Sequence, residues 1–364
     1  MPTKHTESQT VTEESKITQP TITNSIMTQT SSHELTNSLL IHQTLTARKR
    51  KVRFRVLLLA FLAIAFSSFF ATYDALAYWE IIGPLRLPRL LGLIVVATAL
   101  SASTVVFQVV TQNRILSPSI MGFDSLYRLI ATLLIFCFTS EVVELWNPTA
   151  VFAIQAGLMM LGAVILFTSM IRRGSDRIHV LVLVGIVFGT LLRSITAMLS
   201  AIMDPNEFQN VQDLGMASFA TINQPALLIT SLITIAALCV IMWQAHDWNV
   251  LALGRTIAIP LGLNYTRAVK IALGISSLLV ACATALVGPL MFFGLLVVNI
   301  AVYILRSDAL EYLIPGSIFI GICVLVGGQA VLEFVLDQST VLPVVLEFVG
   351  GVLLLTLILK EVRS

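Results

Sequence analysis

Charge is scarce in this chain: Asp, Glu, Lys and Arg make up 12% of its 364 residues, about half the share found in soluble globular proteins. So few charges cannot clothe a water-facing surface, and with 57% apolar residues and a mean hydropathy of +0.91 a soluble domain is excluded. Cysteine is equally thin. The four copies, Cys137, Cys239, Cys282 and Cys323, sit in apolar stretches without CxxC spacing, which reads as packing rather than disulfide or metal use. The five histidines (His5, His33, His42, His179 and His246) are scattered over tail and loop segments. There is no HExxH, and no GxxxxGK followed by Ser or Thr, so a metalloprotease or an ATPase lacks its required groups. The chain is read as a non-enzyme without cofactor or metal. A net charge of +2 gives no case for nucleic acid.

What is present is hydrophobic length. Apolar runs able to cross a bilayer fall at about 56–73, 90–110, 123–138, 149–171, 178–202, 225–243, 270–288, 289–305, 312–335 and 341–359, by the rule of some 17 to 25 residues per helix. This predicts an all-α polytopic membrane protein of ten helices, the third and eighth short, with Gly288 and Pro289 dividing the seventh from the eighth. Residues 1–47 are of other material. Thr, Ser, Gln and Asn dominate there, too little apolar surface is available to offset ordering entropy, and a disordered cytoplasmic tail is expected ahead of a transmembrane domain at 48–364.

Basic residues are retained on the cytoplasmic side of membranes. The cluster Arg48, Lys49, Arg50, Lys51, Arg53 and Arg55 therefore sets the start of the first helix inside. Ten spans from that start keep Arg114, Arg172, Arg173, Arg255, Arg267, Lys270, Arg306 and Lys360 inside, give both termini a cytoplasmic location, and send Glu141, Asp204, Glu207 and Asp213 outside. Arg86 and Arg89 are the exceptions. Snorkelling of long side chains at a helix end is the plain explanation; an Arg fork is also suited to bidentate carboxylate pairing.

Asp124, Arg128, Arg193, Glu333 and Glu347 fall within predicted helices, where each costs about 2.5 to 3.5 kcal/mol near the centre unless paired or wet. Asp124 and Arg128, four apart, are expected to pair locally. Arg193 has no such neighbour; a pairing with the chain's own carboxylates is the structural reading.

Several segments together resemble the FecCD family of permease subunits from importers for iron siderophores, haem and vitamin B12. They are LRLPRLLGLIVVATALSASTVVFQVVTQNRILSPSIMGFDSLY at 85–127, LVLVGIVFGTLL at 181–192, LALGRTIAIPLGLNYTR at 251–267 and VGPLMFFGLLVVNIA at 287–301. The wording at 113–127, and Val298 and Asn299 where the family often has Pro-His, look like the ferric-siderophore branch.

The resemblance implies a type II ABC importer permease in the bacterial cytoplasmic (inner) membrane, paired with a second permease subunit, similar or identical, and two ATPase subunits that hydrolyse the ATP. A soluble extracytoplasmic binding protein would deliver a ferric siderophore. Arg86 and Arg89 would dock that protein. The loop at about 244–269 would be the ATPase coupling segment, with Leu253, Gly254, Arg255, Ala258, Leu261, Gly262 and Tyr265 on matching positions; an ordinary amphipathic surface helix is the plainer reading. Arg193 and Asn299 would line the pathway. An ion-gradient-driven secondary transporter, or the same importer class carrying haem or vitamin B12, stands as the alternative.

Overall fold

The computed structural model describes residues 49–73, 79–172, 178–336 and 342–363. The polar tail predicted at 1–47 lies outside them, as do Arg48, Arg173 and Arg177. Among the described residues every regular element is helical: α1 (Lys49–Thr72), α2 (Trp79–Thr111), α3 (Phe123–Phe138), α4 (Ser140–Glu144), α5 (Pro148–Arg172), α6 (Ile178–Ile202), α7 (Pro205–Leu214), α8 (Gln224–Trp243), α9 (Ala245–Leu251), α10 (Arg255–Ala258), α11 (Tyr265–Val287), α12 (Phe293–Leu305), α13 (Leu310–Phe334) and α14 (Leu342–Arg363). All ten predicted apolar runs are helices. Seven are long and apolar enough to cross a membrane, and α12 and the apolar part of α14 are shorter.

The core is built around α2. Leu93, Val96, Ala97, Ala99, Ala102, Ser101 and Ser103 are fully buried on it, and α11, α12, α13 and α8 pack against it. Small residues let backbones approach where lipid offers no hydrophobic drive for helix association. The hydroxyls do not disturb this. Thr104 and Thr111 donate to carbonyls one turn back, Leu100 O at 2.8 Å and Phe107 O at 2.9 Å, whereas Ser276 Oγ on α11 donates across to Ser103 O at 2.8 Å. By contrast α1 lies at the rim with most of its apolar surface outward, as a lipid-facing helix should.

The Gly-Pro break forms as expected. Gly288 ends α11 at φ +99°, and the backbone beyond Val287 is held by Ser218 N–H donating to Val287 O at 2.7 Å.

Why α3 is short becomes clear at Gly122. Its φ of +103° turns the chain out of a 3-10 turn (Ser119–Met121) into α3, and a Cβ there would lie 2.8 Å from the Cα of Gly189. Gly189 is near the middle of α6. So α3 begins partway along its neighbour, and its sixteen residues, about 24 Å of helix, need to cover only the remaining depth.

The ends of the helices carry the polar work. At one end Arg55 Nη1 donates to Ile304 O and Leu305 O, both at 3.1 Å, capping the carbonyls that finish α12. At the other end Asp204 caps α7 by accepting from Asn206 N–H at 2.9 Å, and Glu207 accepts the Ser140 N–H at 3.0 Å, which ties α7 to α4.

Candidate functional site

Three groups of residues stand out, and the first is a cleft of about 700 Å³ between α3, α6, α7 and α14. Asp124 and Arg128 from α3, Arg193 from α6 and Glu347 from α14 all line it. The local pair expected from the four-residue spacing does not form. Both Asp124 carboxylate oxygens are buried without a hydrogen-bond partner, and Arg128 reaches instead toward α7, with Nη1 3.1 Å from where a Cβ on Gly215 would stand. Spacing puts two side chains on one face. It does not fix which neighbour each meets.

Arg193 donates from Nε to Ser125 Oγ at 3.0 Å, and the residue is otherwise exposed. An exposed guanidinium partway along an apolar helix faces water or another protein surface, because lipid would not solvate it. Asn299, the second expected pathway residue, is not brought to this cleft. Its Nδ2 donates to Leu295 O at 2.8 Å and to Arg114 O at 3.3 Å. Gln108 Nε2 also donates to Arg114 O, at 2.9 Å, and the Arg114 guanidinium pairs with Asp308 at 2.8 Å, so Asn299 belongs to a knot that fixes the turn after α2.

The second group is the segment of α9 and α10. Trp248, Leu251 and Ala258 turn inward and are buried, with Trp248 Nε1 donating to Ile241 O at 3.0 Å. Leu253, Ile257, Ile259 and Leu261 turn outward, Leu261 being 60% exposed. Four large apolar side chains on one short segment at a membrane edge form a contact surface. The segment is held firmly from behind. Gly254 is buried against the Gln112 side chain, Asn249 Oδ1 accepts the Leu310 N–H at 3.2 Å, and the Arg255 guanidinium lies 6.0 Å over the Tyr265 ring. Of the residues expected at this surface, Leu253, Arg255, Leu261 and Gly262 are exposed, Tyr265 is half-buried, and Gly254 and Ala258 are buried and position the others.

The third group holds the two exceptional arginines. Arg86 pairs with Glu333 at 3.5 Å, both side chains only 11–12% exposed; it donates to Tyr73 O and lies 5.1 Å over the Phe334 ring. Arg89 donates from Nε to Ala220 O at 2.8 Å. Both are half-buried, so each spends part of its hydrogen-bonding capacity on its own chain. The partner Glu333 was visible in the sequence only as one more intramembrane carboxylate.

A multi-helix membrane bundle with a charged internal cleft and a braced apolar segment at its edge is a transmembrane transport subunit. The chain belongs to the FecCD transport family, which it matches over residues 49–360. It is 42% identical over 311 residues to the petrobactin import system permease protein YclO of Bacillus subtilis, covering 85% of this chain and 98% of that one. Against the petrobactin import system permease protein FatC of Bacillus anthracis it is 30% identical over 278 residues, 76% of this chain and 78% of the relative. The haemin transport permease HmuU of Yersinia pestis is 27% identical over 302 residues, 82% and 89% of the two chains. A solved metal-chelate type ABC transporter in an inward-facing conformation shares the fold, with a TM-score of 0.74 at 21% identity over 85% of this chain and 99% of the other.

Proposed function

We propose that this chain is the membrane permease of an ATP-driven importer that carries a ferric siderophore across the cytoplasmic membrane, with ferric petrobactin or a close analogue as cargo. The observation that carries the reading is the 42% identity to a petrobactin import permease over 98% of that protein's length. The haem-transport relative is more distant. Because this sequence has no phosphate loop, ATP is hydrolysed on two separate ATPase subunits; one sits against the outward side chains of α9 and α10, the other against a second permease, which closes the open side of the cleft. The chain itself is a non-enzyme.

In this assembly both termini are cytoplasmic, with Lys49 to Arg55, Arg114, Arg267 and Lys270 inside, following the retention of basic residues. In a chain whose four cysteines are replaced by alanine, a cysteine at Asn206 is labelled from outside by an impermeant thiol reagent. One at Thr266 is not; the reverse pattern would invert the orientation.

A binding protein docks on the outer end of α2. Arg89 makes one bond to its own chain and keeps donors for an acidic partner, whereas Arg86 contributes with what its pairing to Glu333 leaves. Vesicles holding the permease pair, the ATPase and the binding protein accumulate ferric petrobactin only with ATP. With Arg89→Glu, binding-protein affinity falls by about 2 kcal/mol or more, the low end for losing a desolvated charge pair, while membrane insertion persists. ATP-independent uptake by the wild type would sink the importer reading, and unchanged affinity would leave Arg89 as a snorkelling residue.

A further inference from the structure

The cleft between α3, α6, α7 and α14 contains more charge than packing can explain. Two guanidinium groups, Arg128 and Arg193, and two carboxylates, Asp124 and Glu347, line one space of about 700 Å³, and no ion pair joins any of them within the described residues. Charges that serve structure inside a membrane pair with one another. These do not.

Asp124 is the sharpest case. It is 2% exposed, lines the cleft, and neither oxygen has a hydrogen-bond partner. It stands in the first turn of α3, a helix that starts partway along α6, so the carboxyl meets the positive end of the α3 dipole. Broken or short helices that begin inside a membrane are a recurrent way to place such groups around a ligand.

From Arg193 to Ala201, α6 lines the cleft over about 12 Å of helix, and Ser125, Thr196 and Ser200 line it as well. The space is within the range that holds a small organic ligand. A purely anionic ligand would be repelled by the carboxylates and a cationic one by the arginines. The lining fits a ligand that bears both signs.

We propose that this cleft is a way-station for the cargo inside the membrane, selective for a ferric chelate carrying both anionic oxygens and a cationic amine, with Arg128 and Arg193 receiving the oxygens and Asp124 and Glu347 receiving the amine. The proposal rests on the importer reading above and adds a defined binding site to it.

The test uses the complete reconstituted complex in vesicles with radio-iron-loaded petrobactin as the probe. Arg193→Gln and Asp124→Asn each lower ATP-driven uptake about tenfold, the scale of one charge-assisted hydrogen bond. Stimulation of ATP hydrolysis by the loaded binding protein and co-purification of the second permease stay at the wild-type level, and Arg193→Lys restores part of the uptake. If the wild type takes up none of the probe, the functional reading and the way-station fall together. If the wild type transports and both variants match it, the way-station alone is overturned. It is likewise overturned if the variants lose the second permease or the ATPase response along with uptake, because the charges then hold the assembly together.

Discussion

Leu261→Asp combined with Ile257→Asp abolishes ATP-driven uptake and releases the ATPase subunits, while the permease still accumulates in the membrane. Both side chains are at least half exposed, so their replacement costs the folded chain little, within about 0.5 kcal/mol for surface positions. Against a partner the arithmetic changes. Each buried Leu or Ile contributes about 1.5 to 3 kcal/mol, and a carboxylate in its place must be desolvated without a counter-charge. Two such changes remove enough to lose a complex of ordinary affinity. The measurement is co-purification of the ATPase with the tagged permease, beside vesicle uptake. Retention of both would assign the four apolar side chains to the lipid headgroup layer instead.

The way α9 and α10 are held explains how a push on them would reach the core. Gln112 behind Gly254 belongs to the turn that follows α2, and Asn249 holds the first N–H of α13. These two helices belong to the core: α2 and α13 pack along one another, with Gly321 of α13 seated on Ser101 and Ala97 of α2. The knot of Gln108, Asn299 and the Arg114 carbonyl stiffens the same corner. A displaced segment would therefore pull on α2 and α13 as packed bodies, the kind of rearrangement by which a tight core passes a local shift onward.

The helices were legible in the sequence because a bilayer makes hydrophobic length a strong signal, and the Gly288 break was legible because Gly and Pro stand side by side there, whereas Pro84, Pro88 and Pro315 alone interrupt neither α2 nor α13. The candidate sites were legible only as residue types. That Asp124 goes unpaired depends on Gly122 meeting Gly189 and on the approach of α7 to Arg128, both set by contacts between segments more than sixty residues apart in the chain. Arg86 and Glu333 are further apart still. Asn299 was assigned to the pathway by its place beside a family motif; its amide donates to Leu295 O one turn back in α12 and to Arg114 O in the turn after α2, and no periodicity in α12 foretells the second bond.

The far end of α2 and α13 is clamped by Arg86 and Glu333, and breaking this clamp is expected to have the largest effect on stability. Glu333 stands near the C-terminus of α13, where the helix dipole opposes a carboxylate, and its second oxygen, Oε2, is buried without a partner. Arg86 is what makes the charge tolerable. Removing one member of a buried pair costs about 3 to 5 kcal/mol, because the other charge is left uncompensated; Arg86→Gln should therefore lower the thermal unfolding midpoint of the detergent-solubilised permease sharply. Arg86→Glu should be worse, placing two carboxylates together. The exchange Arg86→Glu with Glu333→Arg recovers part of the loss, limited by the contacts of Arg86 with Tyr73 O and the Phe334 ring that the exchange does not rebuild. Replacing both by leucine comes close to the wild type in stability, since well-packed apolar pairs often match buried ionic ones. It would also separate two roles of Arg86: a stable double-leucine permease that no longer binds the binding protein keeps Arg86 in the docking surface, and one that binds it normally leaves docking to Arg89. An unfolding midpoint for Arg86→Gln equal to that of the wild type would mean that the pair contributes nothing to the fold.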